Sequence, residues 1–407
     1  MINFVKVPGI RNALILAVLI RFLLMPFYFH PDIKTTSFKA SFLREGVLDI
    51  YTYLDKNIDK LTLKENFNYF PLAYFTLGSY QILMSPFLGP DFPKWLSNAS
   101  ISAAEATGVY RFLFILKLPY LILDLGIAFL LTSFFTDIQK KKKAFIFWLF
   151  NPFSVVLIYI FSNIDIFPVF LMILSLYFAK KEKLVKSALM LGLGAGFKAF
   201  PILVLPFLIM LGKNVKDKIF ISIAGIGSFL LIILPFLKSS SFHRSTLDSG
   251  LTTRIISSGL DIGFGEVLMP AIILLSFLFF WGISNKKIDL WRYYLVSFLL
   301  VLISIHFHIQ WLLWIIPFFA ILYVLGSGEE KSLSIFFLMI AFAIPLLYAD
   351  KFMTVGLLKA ISPLYELLPM PRVLLSKIYN PDVIQGVLHS ILFGLGILLS
   401  FRVLNKK

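Results

Sequence analysis

Long apolar runs recur along this chain of 407 residues, and they constrain its fold more than any other feature. Runs of about twenty residues with almost no charge are each long enough to cross roughly 30 Å of hydrocarbon. The segment from Phe220 to Leu237 is apolar all round, whereas the strands of a membrane barrel alternate apolar and polar positions. With 59% hydrophobic residues and a mean hydropathy of +0.88, the sequence predicts an all-α polytopic membrane protein.

Positive charge is concentrated in short connections between the apolar runs, and the formal net charge is +16. The basic clusters are Lys140 to Lys143, Lys180 to Lys186, Lys213 to Lys218, Lys286 with Lys287, and Arg402 to Lys407. This is the positive-inside pattern of cytoplasmic loops, so we interpret the charge as a topology signal and predict no nucleic-acid partner. The pattern places both termini in the cytoplasm. Cysteine is absent, which excludes disulfides and Cys-ligated metal sites.

With these connections inside, the first span, about 14–29, leads outward and residues 110–135 lead back, which leaves 30–107 as a large outer region. Within it, 36–53 has the spacing of an interfacial helix, and 69–88 is either a span or re-entrant. Residues 145–161 lead outward, 166–179 lead back, and 187–211 form a re-entrant pair of short helices broken near Lys198 and Pro201. Six further spans are predicted at 219–237, 267–283, 293–307, 311–325, 333–347 and 383–401. The expected fold is one domain, 1–407, with about 10 to 13 transmembrane helices.

This topology collects polar residues from distant segments on the outer side. They are Asp32, Asp49, Asp165, Lys198, His243, Arg244, Arg254, Asp261, His306, His308 and Gln310. A charge in hydrocarbon costs roughly 2.5 to 3.5 kcal/mol, so Asp165 and Lys198 need a partner, a water-filled cavity or a function. The convergence predicts a functional site on the outer side.

Asp32 follows the first span in the sequence FYFHPDIK, beside Pro31, which restricts the backbone. A carboxylate held at the membrane boundary can act as a general base if a hydroxyl lies within hydrogen-bond reach. The alternative is an ordinary solvated loop acid. Asp165 could line the site or cap the helix that begins at Ile166. Lys198 could bind a phosphate or pair with Asp165.

The remaining candidates also have two interpretations each. Arg244 and Arg254 are either phosphate or acceptor ligands or flexible-loop arginines. His306, His308 and Gln310 lie in an HFHIQW run, where hydrogen bonding to a sugar or phosphate, structural bonding and metal ligation are all open. Two histidines two apart splay on a helix, and no HExxH motif is present. We interpret Arg21, Lys117 and Asp124, which fall within spans, as architecture.

Nucleotide-binding and hydrolase motifs are missing: the sequence has no Walker A, GxSxG or GxGxxG pattern in the required context. Any activated substrate is therefore expected to reach the site from the lipid or the outer water.

Several short motifs occur in a specific order. These are an acid after the first span, Y-x-P-L-x-Y (Tyr69 to Tyr74), W-x-x-N-P (Trp148 to Pro152), S-N-I-D (Ser162 to Asp165), F-K-A-x-P (Phe197 to Pro201) and the H-F-H-I-Q-W run that continues to Pro317. In order and spacing the set resembles the GT-C superfamily of polyprenyl-phosphate-sugar-dependent glycosyltransferases. The similarity is closest to the membrane mannosyltransferases that build GPI anchors and to their prokaryotic relatives.

The resemblance implies an inverting transfer of a hexose, mannose by preference, from a polyprenyl-phosphate-sugar donor to a hydroxyl of a glycolipid or glycan acceptor on the extracytoplasmic side. It assigns the base to Asp32 and substrate binding to Asp165, Lys198, His306, His308 and Gln310. The host bilayer would be the plasma membrane of a prokaryote or the endoplasmic reticulum. No cofactor is expected.

Two departures from the family pattern stand out. Asp32-Ile33-Lys34 replaces the D-x-D of the GPI mannosyltransferases, so a divalent metal lacks its usual pair of acids. Ser162 and Asn163 replace Gly and Gln in the second turn. A different class of function also stays open, a transporter or lipid flippase that uses Asp165 and Lys198 as an intramembrane substrate or ion site.

Overall fold

The computed structural model describes residues 2–98, 106–250, 252–285 and 289–405, in which the regular secondary structure is helical apart from one short hairpin. The first α-helices are α1 (Ile2–Val5), α2 (Ile10–Leu24), α3 (Pro31–Ser41), α4 (Ile50–Asn57), α5 (Pro71–Leu88), α6 (Asp91–Ser97), α7 (Val109–Thr132), α8 (Ile138–Phe150), α9 (Pro152–Val155), α10 (Ile166–Lys180), α11 (Leu184–Ala195) and α12 (Leu205–Ile209). The later ones are α13 (Val215–Ser222), α14 (Ser228–Ile233), α15 (Ser240–Phe242), α16 (Arg254–Ser257), α17 (Pro270–Ser284), α18 (Leu290–Ser304), α19 (Ile316–Leu325), α20 (Gly328–Leu346), α21 (Pro371–Leu375) and α22 (Pro381–Asn405).

Other short elements join the α-helices. The 3₁₀ turns are Phe42–Glu45, Phe200–Val204, Leu234–Phe236, Ile309–Trp314, Lys351–Met353, Val355–Leu358 and Pro363–Leu367, and the π-helical turns are Val156–Phe161, Ile223–Gly227 and His243–Leu247. Strands β1 (Leu260–Gly263) and β2 (Glu266–Leu268) pair antiparallel, with Leu260 opposite Leu268. The all-α class predicted from the sequence is confirmed.

Three helices within the described residues are long and apolar enough to cross a membrane: α7, the continuous helix Val215–Phe236 and α22. The pair Ile138–Phe150 and Pro152–Phe161, bent by 44°, makes a fourth if it is counted as one span. Six shorter apolar helices accompany them: Ile166–Lys180, Leu184–Ala195, Phe200–Ile209, Pro270–Ser284, Leu290–Ser304 and Ile316–Leu325. These features define a polytopic membrane protein, while the count of 10 to 13 spans stays a prediction.

Several predicted elements agree closely with the structure. The span predicted at 110–135 is α7, and the one predicted at 166–179 is α10. The pair of short helices predicted at 187–211 is present as α11, a break that contains Lys198, the turn Phe200–Val204 and α12, while its re-entrant path in the membrane stays a prediction. The strong apolar signal and the breaking residues Gly196 and Pro201 were sufficient to locate this hairpin.

The outer region differs from the prediction in two places. The predicted first span corresponds to α2, which ends at Leu24 rather than near residue 29. It ends there because Pro26 cannot continue the hydrogen-bond ladder. The single interfacial helix predicted at 36–53 is wrong: α3 and α4 are separate helices. The chain between them turns at Gly46, whose φ of 81° favours glycine.

The segment 69–88, left open by the sequence, is the 18-residue helix α5. Next to its start, the Leu72 N–H donates to the Gly196 carbonyl (3.0 Å), and at its end the Arg111 guanidinium donates to the Leu88 carbonyl (3.0 Å). Gly78 lies so close to α3 that a Cβ there would approach the Ala40 carbonyl to 2.8 Å. The helix therefore packs beneath α3 and connects the re-entrant hairpin to the start of α7.

Hydrogen bonds join the basic connections to one another at one end of the molecule. The Lys142 ammonium donates to the Pro8 carbonyl (3.2 Å), and the Lys180 ammonium donates to the carbonyls of Ser133 (3.0 Å) and Phe134 (2.6 Å). At the opposite end of α2, the ring of Phe27 packs on Tyr110 at the start of α7. The two basic clusters that contain Lys142 and Lys180 thus lie at the end of the bundle away from Asp32. Lys286, Lys287 and the last two residues of the tail lie outside the described residues.

A fully buried carboxylate holds the central helices together. Asp124 of α7 accepts hydrogen bonds on Oδ2 from Arg21 Nε of α2 (2.7 Å) and from the Tyr159 hydroxyl (2.7 Å), and on Oδ1 from Trp148 Nε1 of α8 (2.7 Å). Asp124 and Arg21 are 0% exposed. The expectation that Arg21 pairs with an acid as part of the architecture is confirmed.

Replacing Arg21 by leucine should destabilise the protein strongly, because it leaves the Asp124 charge buried without its cation. Breaking one side of a buried ion pair costs about 3 to 5 kcal/mol. Thermal unfolding of purified protein in detergent, followed by intrinsic fluorescence, measures the change. Arg11→Leu, an exposed arginine on the same helix, is the matched control and should shift the midpoint very little. Equal midpoints for the two variants would contradict the structural role of this pair.

Candidate active site

A cavity of about 790 Å³ lies at the end of the bundle away from the basic connections. Four of the residues predicted from the sequence line it, namely Asp32, Lys198, His308 and Gln310. Its other polar lining residues include His30, Thr35, Thr36, Lys39, Glu65, Asn66, Asn68, Tyr69 and Asp350. Segments that are as much as 300 residues apart in sequence therefore meet around one space, as the topology predicted.

Asp32 is held at the first turn of α3. Pro31 starts that helix, and His30 caps it by accepting the Asp32 N–H on Nδ1 (3.2 Å). The Asn163 amide donates to Asp32 Oδ2 (2.9 Å), and the Asp32 side chain remains 37% exposed. This carboxylate is oriented by a fixed hydrogen bond and still accessible from the cavity, which are the two properties that a general base requires.

The turn that presents Asn163 is strained. The π-helical turn Val156–Phe161 ends at Ser162, which has φ 52° and ψ 48°, in the left-handed region. A non-glycine residue costs roughly 1 to 2 kcal/mol in this conformation. The Ser162 hydroxyl donates to the Tyr159 carbonyl (3.0 Å), which helps to hold the turn.

Asp165 binds two groups that line the cavity. Its Oδ2 accepts from the Lys198 ammonium (2.6 Å) and its Oδ1 accepts from Trp314 Nε1 (2.7 Å). Asp165 is 0% exposed and does not itself line the cavity. The helix-capping alternative for Asp165 is wrong, because its side chain makes no cap hydrogen bond. The pairing of Lys198 with Asp165 is confirmed.

The Lys198 ammonium therefore lies at the cavity wall, while the Asp165 carboxylate that pairs with it is buried in the protein. Its ammonium also lies 5.2 Å from the centre of the Tyr69 ring, in a cation–π contact. The Phe70 N–H donates to the Phe197 carbonyl (3.3 Å), so the chain before α5 is bound to the chain that carries Lys198. Such a fixed cation can stabilise a phosphate in the cavity.

Lys117, inside the bundle, binds both of the chain segments that lead to Asp32 and Asn163. Its amino group, fully buried in α7, donates to the carbonyls of Tyr28 (2.7 Å) and Tyr159 (2.8 Å). Tyr28 lies four residues before Asp32, and Tyr159 lies four residues before Asn163. One side chain thus fixes both chain segments whose ends meet in the Asp32–Asn163 hydrogen bond. Lys117 does not pair with Asp124, which pairs with Arg21 instead.

A stack of aromatic rings forms one wall. Trp314 stacks on Phe200 (4.0 Å between ring centres) and on Trp311 (4.9 Å), and His308 packs beside Trp311 (5.8 Å). Burial, with smaller contributions from Arg254 and Lys198, lowers the pKa of His308 from 6.5 to about 4. His308 is therefore neutral at physiological pH, so one ring nitrogen can donate and the other can accept a hydrogen bond.

Besides Asp165, three other predicted site residues do not line the cavity. Arg244 lies on the surface and pairs with Asp55 (2.9 Å). Arg254 lies over the Trp311 ring (5.7 Å) and donates to the His306 carbonyl (3.3 Å), so it lies behind the aromatic wall. His306 packs on Tyr348 (4.8 Å) and lines a separate cavity of about 420 Å³ with His389.

Lys39 and His30 were missed by the sequence analysis. The mostly buried Lys39 ammonium contacts Glu65 (3.2 Å) and the Asn66 carbonyl (2.8 Å), and burial lowers its pKa. His30 Nε2 is buried and has no partner among the described residues. Helical spacing could have found Lys39, since Asp32, Thr36 and Lys39 recur on one face of α3 at intervals of three and four.

No three His, Asp or Glu side chains in the described part lie together as metal ligands.

Comparison with known proteins shows that part of the chain is similar to a glycosyltransferase family, in agreement with the predicted resemblance. The matching family is glycosyltransferase family 87, whose model covers residues 123–248, which are 126 of the 407 residues. Asp124, Asn163, Asp165 and Lys198 fall within the match, whereas Asp32 and His308 fall outside it. No curated protein and no solved structure matched the chain.

Replacing Lys117 by methionine should reduce activity more than stability. The change keeps the side-chain volume but leaves two buried carbonyls unsatisfied, at about 1 to 3 kcal/mol each. It also removes the bonds that hold the segments before Asp32 and before Asn163. A misplacement of a catalytic group by about 1 Å can cost about 10²-fold in rate. Sugar transfer and thermal unfolding should be measured on the same preparation. Lys180→Met, which removes a lysine bonded to two carbonyls far from the cavity, is the matched control. Equal rates for both variants would contradict the anchoring role.

The stability of the folded protein should depend on pH, because His308 is neutral in the folded state. Its folded pKa of about 4 lies below the ordinary value of 6.5, so between these values the unfolded chain binds more protons. Stability therefore falls as the pH drops through this window, by up to about 3 kcal/mol. Unfolding midpoints in detergent from pH 7 to pH 4 test this. His308→Gln should flatten the curve, and an unchanged slope would show that His308 does not remain neutral.

Proposed function

We propose that the protein transfers a hexose, mannose by preference, from a polyprenyl-phosphate-sugar donor to a hydroxyl of a lipid-linked or glycan acceptor, with inversion at the anomeric carbon and Asp32 as general base. The observation that carries this proposal is the placement of Asp32, oriented by Asn163, in one cavity with the cation of Lys198. The match to glycosyltransferase family 87 supports the reaction class.

The shape and polarity of the cavity favour a donor with a lipid chain. One part is lined by Asp32, Lys198 and His308, and another by the apolar side chains of Leu203, Leu247, Ile255, Ile256 and Ile272. Ile256 and Ile272 are 51% and 39% exposed, and α17 continues with exposed apolar residues such as Phe277. A polyprenyl chain can therefore leave the cavity beside α17 while its phosphate stays at the polar part.

The proposed reaction needs three kinds of group. The Asp32 carboxylate accepts the proton of the acceptor hydroxyl as that oxygen forms a bond to the anomeric carbon. The bond from this carbon to the phosphate oxygen breaks on the opposite face, and its electron pair stays with the polyprenyl phosphate. Lys198 and Lys39 lie where they can stabilise the phosphate charge, while neutral His308 and Gln310 can hydrogen-bond sugar hydroxyls.

The location of the reaction follows from the arrangement of charge. The basic connections lie at the end of the bundle away from Asp32, and positively charged loops prefer the cytoplasm. Under that rule the cavity opens on the extracytoplasmic side. A transporter that uses Asp165 and Lys198 as an ion or substrate site is less well supported, because both oxygens of Asp165 are already bonded to protein groups.

Asp32→Asn should lower the rate of sugar transfer by about 10² to 10⁴, the usual effect of removing a general base, while the fold and donor binding persist. Purified protein is incubated with polyprenyl-phosphate mannose, glucose or arabinose and with glycolipid acceptors, and product mass is followed. Analysis of the anomeric configuration by NMR tests inversion.

Asp59→Asn is the matched control, because Asp59 is an exposed acid of the same outer region that does not line the cavity. Transfer by Asp32→Asn at the wild-type rate would refute the assignment of the base. Retention of configuration would refute the inverting mechanism. Absence of transfer from every polyprenyl-linked donor by the wild-type protein would refute the donor class.

A further inference from the structure

A second cavity, of about 740 Å³, lies on the other face of α3 from the candidate active site. Thr35, Thr36 and Lys39 line the first cavity, whereas Phe38 and Ser41 line the second. Helix α3 therefore separates the second cavity from the candidate active site. The turn Phe42–Glu45, the segment from Lys60 to Thr62 and helices α5 and α6 supply most of the second cavity's remaining lining.

This second cavity adjoins an apolar surface. Phe42, Leu88 and Phe92 line it together with Ile82, which is 44% exposed on α5. The next residues on the exposed side of α5, Leu83 and Phe87, are 67% and 64% exposed. In a membrane protein such a surface faces hydrocarbon, so a lipid chain can lie along α5 and reach the cavity from the bilayer.

The polar rim of the cavity carries more positive than negative charge. Arg44, Lys60 and Lys94 line it with one acid, Glu45. Lys94 is paired with Asp91 (3.3 Å), but Arg44 and Lys60 form no ion pair within the described residues. Two unpaired cations at the edge of an apolar cavity are the arrangement that binds a phosphate head group.

A buried amide adds a second requirement on the ligand. Gln81 lines the cavity and is 6% exposed. Its amide nitrogen donates to the Ser37 carbonyl (3.0 Å), while its Oε1 has no partner among the described residues. A buried acceptor without a donor costs free energy, and a hydroxyl of a bound molecule would satisfy it.

We propose that this cavity is a binding site for a membrane phospholipid whose head group carries a phosphate and a free hydroxyl. The phosphate binds Arg44 and Lys60, a head-group hydroxyl donates to Gln81, and an acyl chain follows α5. This site is separate from the proposed sugar-transfer cavity and does not depend on the function assigned there.

The test uses the full-length protein, purified in detergent and stripped of lipid, with fluorescent phosphatidylglycerol as the probe. Saturable binding is expected, weakened at least tenfold in the variant Arg44→Ala with Lys60→Ala. Ser85→Phe, which fills the cavity without changing its charge, should weaken binding to a similar extent. Lys56→Ala with Lys64→Ala removes two lysines of the same outer region that do not line the cavity, and it should bind as the wild type does.

Two competitors identify the ligand chemistry. Diacylglycerol lacks the phosphate and glycerol phosphate lacks the chains, so neither should displace the probe at equal concentration. Equal binding by the Arg44→Ala, Lys60→Ala variant and the control would overturn the proposal. Efficient displacement by glycerol phosphate would overturn the lipid assignment in favour of a soluble phosphate, and displacement by diacylglycerol would overturn the role of the cations. Thermal unfolding of each variant confirms that it is folded.

Discussion

Asp124 and Lys117, seven residues apart in α7, must both be satisfied without water, and much of the molecule is arranged around them. Asp124 draws Arg21, Trp148 and Tyr159 to one point, so α2, α7, α8 and the π-helical turn that follows α9 cannot separate without exposing a charge to hydrocarbon. Lys117 then fixes the chain before Asp32 and the chain before Asn163. The position of the candidate base is therefore determined inside the bundle rather than by the outer loops.

The charges at the cavity follow the same principle but leave one partner accessible. Asp165 is enclosed by Lys198 and Trp314, which both line the cavity, whereas the carboxylate itself does not. The carboxylate holds the lysine in place, and through Trp314 it also orients the aromatic wall. A buried anion that supports an accessible cation is well suited to a site where negative charge develops on a leaving phosphate, because little reorganisation is needed.

The helices and one side of the site could be predicted from the sequence, because apolar runs, basic connections and breaking residues are local signals. Asp32, Lys198, His308 and Gln310 were brought together by topology alone. The roles of Arg244 and Asp165 could not be separated this way, since both are charged residues of outer segments. Burial distinguishes them: Asp165 is fully enclosed, whereas Arg244 pairs with Asp55 on the surface. Lys39 shares a helical face with Asp32, which is a local signal. The position of Gln81 depends on which faces of α3 and α5 meet, and no local signal contains that information.

The pairing of Asp165 also has a consequence for how the protein is made. Lys198 is synthesised 33 residues after Asp165 and Trp314 a further 116 residues later. Chains are synthesised at roughly 5 to 20 residues per second. Lys198 is therefore made seconds after Asp165, and Trp314 is made up to tens of seconds after it. The carboxylate therefore lacks both of its hydrogen-bond partners until the segment that carries Lys198 has been made, and the aromatic wall can close around it only after Trp314 follows.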